Sequence, residues 1–311
     1  MLFDDIIGQK FAKKYMINSL RNEKIGHAYI FEGIEGVGKS FFAKELAKEL
    51  LGRKNLYNST DFYEIKPEGS SIKIFQIRQL QSDIVIKPHS NYKIYLIDES
   101  EKLTIQSQNA LLKILEEPPS YAIIILICSN KENILDTIKS RCEKIKFSPI
   151  SNDDMKKFCL INGISESNLN FIYSFAKGSI KKALDISNSE KFISMRDDAE
   201  KYIEILTEKD LLSYIDLIDD IEKYKDDIML FLEIFTSYFK DIMIFVENLG
   251  DKNLINIDKD IFIENISKRI SSYDLVKIIG IIDYVINNLK SKCNFSINMQ
   301  VLFLNIYEVI E

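Results

Sequence analysis

The sequence predicts an α/β domain with a parallel sheet, followed by a small helical lid domain and an all-helical C-terminal domain. Three observations predict it. Residues 1 to about 148 alternate between strand-like and helix-like patterns. The β-prone runs Tyr92–Asp98 and Ala122–Ser129 are nearly continuous in apolar residues, as strands buried on both faces of a parallel sheet are. Beyond Pro149 the periodicity is helical almost throughout. These shifts set expected domains at 1–148, 149–193 and 194–311. A chain of 311 residues is also longer than one compact core usually organises.

Taken in order, Gln9–Leu20 reads as a short helix and Ala28–Glu32 as a short strand. Ser40–Leu51 reads as a helix with Phe42, Leu46 and Leu50 on one face. Thr104–Glu116 is a helix stopped by Pro118-Pro119, because proline has no N–H to donate and crowds the preceding turn. Asp153–Ile161, Glu166–Ala176 and Ser179–Ile186 read as three short helices. From about Met195 the helical pattern continues, with breaks near Leu249-Gly250-Asp251 and Lys292–Phe295.

Composition narrows the function classes. With 46% hydrophobic and 28% charged residues, the chain is a folded globular protein and not a disordered one. The longest apolar run, Ala122–Cys128, is far short of a membrane span, and Met1-Leu2-Phe3-Asp4-Asp5 has no basic-then-apolar signal pattern. A cytoplasmic location and no membrane partner are expected. Cys128, Cys142, Cys159 and Cys293 are dispersed, and with two His they form no zinc pattern, so no zinc site is expected. Net charge is −6 but uneven. Residues 196–311 hold 13 Lys and Arg against 23 Asp and Glu, a net −10, and residues 1–195 hold 28 against 24, a net +4. A polyanion would therefore meet the N-terminal part.

The strongest chemical signal is Gly33-Ile34-Glu35-Gly36-Val37-Gly38-Lys39-Ser40, which fits G-x-x-x-x-G-K-[ST] between an expected strand and an expected helix. Gly33, Gly36 and Gly38 let backbone N–H groups curl around phosphate oxygens, and the helix N-terminus adds its positive end. Lys39 would neutralise the β and γ phosphates, and the Ser40 hydroxyl would bind Mg²⁺. Such a site needs a carboxylate at the end of a second strand. Asp98 would hold the Mg²⁺, and Glu99 would orient or activate the attacking water. Ser129 and Asn130, at the end of the next apolar strand, could bond the γ-phosphate or that water.

These residues resemble the AAA+ ATPases and, within them, the bacterial clamp-loader subunits of DNA polymerase III. The matching stretches are Ile7-Gly8-Gln9, Gly26–Phe31, the phosphate loop, Asp98–Leu103, Gln108–Pro119 and Thr137–Cys142. Two branches of that family are candidates. Pro67–Ile74 followed by Ile77-Arg78, and the final Asn294–Leu302, look like the delta-prime branch. The alternative is a gamma/tau-like motor or a self-assembling AAA+ remodeller. A scaffold with a remnant phosphate loop and a small-molecule kinase are further readings. Two departures stand out: the family's four-Cys zinc module is missing from Leu51–Tyr63, and the phosphate loop is intact where many delta-prime subunits have a damaged one.

The resemblance implies ATP with Mg²⁺ as cofactors, and gamma/tau and delta subunits, the sliding clamp and primer–template DNA as partners. It implies that Arg141, in Ser140-Arg141-Cys142, is an arginine finger reaching a neighbour's ATP site. It matches Lys181 to a phosphate-sensing position where motor subunits carry Arg, which counts against full ATPase competence of this chain. Ile6, Ile7 and Gly8 match a segment near adenine, and Gln108, Asn109 and Lys113 lie on the helix that faces DNA in this family. The acidic C-terminal helices match a subunit-packing collar.

Overall fold

All seven residues of the strand Ala122–Cys128 are buried, because a strand's period of two sends its side chains alternately into two separate cores. Ile123, Ile125 and Ile127 enter one core with Tyr29, Phe31, Phe42 and Phe147. Ala122, Ile124, Leu126 and Cys128 enter the other with Ile77, Leu80, Leu111 and Leu115. The computed structural model describes residues 3–164, 169–209, 211–249 and 254–310.

The elements of this part run α1 (Lys10–Arg21), β1 (Ala28–Glu32), α2 (Lys39–Leu51), β2 (Phe62–Ile65), α3 (Ile74–Asp83), β3 (Lys93–Ile97), α4 (Ile105–Glu116), β4 (Ala122–Cys128), α5 (Asp136–Lys139) and β5 (Glu143–Lys146). The strands form one parallel sheet in the order β2-β3-β4-β1-β5. The expected parallel α/β sheet is therefore present. β1 lies between two strands that come later in the chain, a reversal that opens a crevice at the strands' carboxyl ends. The helix expected at Thr104–Glu116 begins with Thr104 as its cap, whose hydroxyl accepts from the Ser107 N–H at 3.2 Å, and stops before the two prolines. β2, α3 and β5 have no counterpart in the sequence reading. β2 and β5 are short edge strands, and β5 buries only Ile145 of Glu-Lys-Ile-Lys, so neither carries an apolar run.

Asp61 sets the sheet's edge. It is 1% exposed, and its carboxylate accepts from the N–H groups of His89 and Ser90 at 3.0 and 2.9 Å and from the Ser90 hydroxyl at 2.8 Å. Its carbonyl accepts from Ile94 N–H at 2.8 Å, beside the Phe62–Ile94 register of β2 and β3. Burial acts to raise this carboxyl's pKa, but the hydrogen bonds outweigh it and hold it below the usual range.

The chain divides into two compact units, Met1–Phe158 with Ala176–Ala183, and Cys159–Phe175 with Leu184–Glu311. The stretch 149–193, expected as a separate lid, is shared between them. Its helices are α6 (Asn152–Ile161), α7 (Leu169–Ala176) and α8 (Ile180–Ser187). Residues 166–168 of the expected middle helix lie outside the described residues, as do Gly250 and Asp251 of the first expected break.

The second unit continues with α9 (Glu190–Glu208), α10 (Leu211–Asp220), α11 (Ile228–Val246), α12 (Asp260–Ser267), α13 (Ser272–Lys290) and α14 (Phe295–Val309). α11 packs against α9, α12 and α13 and buries Phe231, Phe235, Tyr238 and Phe239. Arg196 of α9 is buried and paired, as a buried charge must be. Its guanidinium donates to both Asp258 oxygens at 2.9 and 2.8 Å and stacks 3.9 Å over the Phe171 ring. Among the described residues no helix is long and apolar enough to cross a membrane.

Replacing Asp61 with alanine is expected to lower stability by about 1–3 kcal/mol at pH 7, read by urea unfolding. Asp61 ionises more easily folded than unfolded, where its pKa is about 3.9. Its contribution is thus present above that pH and lost as pH falls through the folded value. The gap between wild type and variant should close on acidification below about pH 4; a gap that persists there would disprove the assignment.

Candidate functional site

The site begins with backbone. Gly36 and Gly38 adopt φ of +80° and +92°, conformations that side chains resist. They turn the chain between β1 and α2 so that α2 starts at Lys39. Lys39 is 5% exposed, and its ammonium donates to the Gly33 and Ile34 carbonyls, the latter at 2.8 Å, and to Ser129 Oγ at 3.4 Å. Burial pushes its pKa down, against the fields of Glu101, Asp98 and Glu35. Ser40 follows it as the second residue of α2.

Two other segments hold this loop in place. Gln9 is buried, and its amide donates to the Val37 carbonyl at 3.2 Å and the Ser148 carbonyl at 2.8 Å, while its own oxygen accepts from Ser148 N–H at 3.1 Å. On another side, the Gly36 carbonyl accepts from the N–H groups of Ile180 and Lys181 at 2.9 and 3.3 Å, so the loop caps the start of α8. A Cβ on Gly36 would stand 2.1 Å from the Ser179 hydroxyl. The Lys181 ammonium reaches back to Glu35 Oε1 at 2.7 Å, and that hydrogen bond, with the charge behind it, holds the Glu35 carboxyl below its usual range.

The carboxylates after β3 separate by backbone geometry. Asp98 is half-buried at the strand's end and accepts from Glu99 N–H at 3.0 Å. Glu99 takes a left-handed backbone with φ of +50° and turns outward to Lys102 at 2.5 Å. Glu101 turns inward. Its Oε1 accepts from Ser129 N–H at 3.1 Å, and its Oε2 is buried with no hydrogen-bond partner among the described residues. A buried carboxylate oxygen left without a partner is costly and calls for a further ligand. The hard oxygen donors here, the Ser40 hydroxyl and the Asp98 carboxylate, suit Mg²⁺. Lys39 suits phosphate, so the residues present fit a magnesium nucleotide. Sequence reasoning missed Glu101, Gln9 and Glu35 as site residues. Glu101 is one acid of three within four positions, and nothing in their order says which turns inward.

The remaining candidates lie elsewhere in the same unit. Arg141 donates to the Thr137 carbonyl at 3.0 Å, Ser140 Oγ at 3.5 Å and Glu116 Oε1 at 2.8 Å. Beside it Cys142 is a core residue whose thiol is pushed up to about 12 by burial. Gln108 was expected to face DNA, but the structure turns it inward. It is 3% exposed, its amide donates to the Leu103 and Asn133 carbonyls at 3.2 and 2.9 Å, and its oxygen accepts from Leu135 N–H at 2.8 Å. Asn109 and Lys113, one turn apart, are exposed on α4. A single step along a helix rotates the side chain by about 100°, which separates Gln108 from Asn109.

Sheet order, phosphate loop and the carboxylate after β3 define a P-loop protein of the AAA+ type. A family model described as "DNA polymerase III, delta subunit" matches residues 8–151. DNA polymerase III subunit gamma of Buchnera aphidicola (subsp. Schizaphis graminum) is 36% identical over 207 residues, covering 59% of this chain and 57% of that protein. DNA polymerase III subunit delta' of Bacillus subtilis is 28% identical over 217 residues, covering 65% and 66%. A crystal structure of a DNA polymerase III gamma subunit-related protein from Thermotoga maritima shares the fold, with a TM-score of 0.54 at 18% identity over 98% of this chain and 100% of that one. Over residues 8–151, just under half of its length, the chain is similar to the clamp-loader subunits of DNA polymerase III. It spans less than two thirds of the length of either curated relative.

Alanine at Gly36 is expected to destabilise the protein more than alanine at Gly38. At Gly38 the added methyl meets nothing within 4 Å, which leaves left-handed strain of about 1–2 kcal/mol. At Gly36 the collision with Ser179 adds to the same strain. Thermal unfolding of the two variants separates them, and equal shifts would mean that α8 does not dock on the loop.

Proposed function

We propose that this chain is the delta-prime subunit of a bacterial DNA polymerase III clamp loader, and that it works with gamma/tau and delta subunits in the cytoplasm to place a sliding clamp on primer–template DNA. The observation that carries the reading is Arg141. It is presented from the end of α5 beside a core-anchored Cys142, and its bonds run to Thr137, Ser140 and Glu116, which are not phosphate-loop residues. A guanidinium placed there can serve a neighbour's site, where it stabilises charge developing on the γ-phosphate.

In this reading the chain also binds ATP with Mg²⁺. Bound ATP supplies the terminal phosphate whose presence or loss the ring responds to. Lys39 and the loop amides hold the phosphates, Ser40 and Asp98 hold the metal, and Ser129 and Lys181 flank the terminal phosphate. Glu99, paired outward with Lys102, would orient water only under the second reading below, on turning back toward the loop. The reading takes residues 1–148 as the nucleotide-binding domain, 149–193 as a lid segment whose helices are divided between the two compact units, and 194–311 as the collar. Asn109 and Lys113 are the DNA-facing candidates on α4, where a lysine can meet backbone phosphate without reading sequence. The complete phosphate loop and the acids after β3 favour a second reading, a gamma/tau-like motor that hydrolyses ATP itself.

The test is clamp- and DNA-stimulated ATP hydrolysis by the reconstituted loader with each variant. Arg141→Ala is expected to lower it about tenfold or more, as loss of a transition-state charge contact does. Lys39→Ala is expected to lower it less than about threefold, since it touches a site that binds without turning over. Equal and severe losses would instead establish the motor reading.

A further inference from the structure

An acid on a phosphate-binding loop opposes the loop's purpose, and Glu35 is such an acid. Its position in the motif contributes backbone to phosphate binding and leaves the side chain free to vary. Here the side chain is exposed and occupied by Lys181 at 2.7 Å. The pairing is built in by the fold. Gly36, the next residue, accepts the Lys181 N–H through its carbonyl, so Lys181 starts from a backbone anchored on the loop itself. Lys39 is likewise held by the loop's own carbonyls of Gly33 and Ile34. The Lys39 and Lys181 ammonium groups are thus already bonded to the loop. They differ in burial. Lys39 is inside the protein, whereas the Lys181 and Glu35 side chains are 62% and 70% exposed. An exposed pair is weak, so a multiply charged anion can displace it.

We propose that Glu35 is a specificity-determining residue of the nucleotide site, which keeps Lys181 as its own counter-charge so that a bound polyphosphate must compete for Lys181 and is repelled by Glu35 itself. Both effects grow with the ligand's negative charge. Glu35 therefore sets how strongly the site distinguishes a nucleoside triphosphate from a diphosphate, and it holds the triphosphate's affinity below what the loop alone would give. The inference rests on the nucleotide-binding reading of this loop.

Calorimetric titration of the full chain with Mg-ATP and with Mg-ADP tests it. Glu35→Gln is expected to tighten ATP about two- to fivefold, the range an exposed ion pair spans, and ADP by less. The gain should shrink when the ionic strength is raised to about 0.5 M, since the charges are open to solvent. In a Lys181→Gln background, Glu35→Gln should give a smaller gain, because only the direct repulsion is left to remove. Equal effects on ATP and ADP, or the same gain in both backgrounds, would overturn the proposal. Lys39→Ala separates the two levels of the argument. A wild type that binds neither nucleotide defeats the nucleotide reading and this inference with it. A wild type whose binding Lys39→Ala abolishes, but whose ATP preference Glu35→Gln leaves alone, defeats the inference only. Thermal melts of each variant verify that it is folded.

Discussion

The two-sided burial of the central strands is the constraint on which the first unit depends. A strand such as Ala122–Cys128, apolar at every position, is stable only where both faces of its sheet are covered. Each fully buried Ile, Leu or Phe contributes about 1.5–3 kcal/mol, so the two cores outweigh any local preference of the loops between them. Covering both faces requires parallel strands joined by helical crossovers. The connections that leave the carboxyl ends of β1, β3 and β4 then gather on one edge of the sheet. There the phosphate loop, Asp98 with Glu101, and Ser129 come within reach of one another.

What the loop does with its charges follows from that gathering. Lys39 is desolvated and surrounded by acceptors of its own loop, with acids of two connections acting on it. Glu101 reaches the end of β4 and leaves one oxygen buried and unpaired. Sites with buried groups that stay unsatisfied within the protein are arranged for a ligand more than for stability. The docking of α8 on Gly36 adds a second layer, since the Lys181 side chain answers to a loop residue.

The second unit solves a different problem, the packing of helices around polar residues that are themselves buried. Asp241 of α11 is fully buried, and its carboxylate accepts from Ile255 N–H, Asn256 N–H and the Asn256 side-chain amide at 2.9, 2.7 and 2.8 Å. Burial nevertheless raises its pKa. With Arg196 and Asp258 it forms a fixed polar centre linking α7, α9 and α11 to the segment before α12. Paired networks of this kind, in which only the Arg196 Nε lacks a partner among the described residues, favour one packing over its near alternatives, because any shift strands a buried charge.

The sequence by itself determined the class of fold, the phosphate loop, three of the strands and the helices that follow β1 and β3, and the Ser140-Arg141-Cys142 triplet. All of these are local signals, since apolar runs, glycine spacing and proline stops act over a few residues. It did not reveal β2 and β5, whose short edge positions bury too little to leave a pattern. Nor did it tell Glu99 from Glu101, or Gln108 from Asn109. Only the tertiary structure decided those, because the inward side chain of each pair is chosen by partners far along the chain, Ser129 for Glu101 and Asn133 and Leu135 for Gln108. The pairing of Glu35 with Lys181, 146 residues apart, is of the same kind, since an ion pair across that distance exists only after folding has brought α8 to the loop.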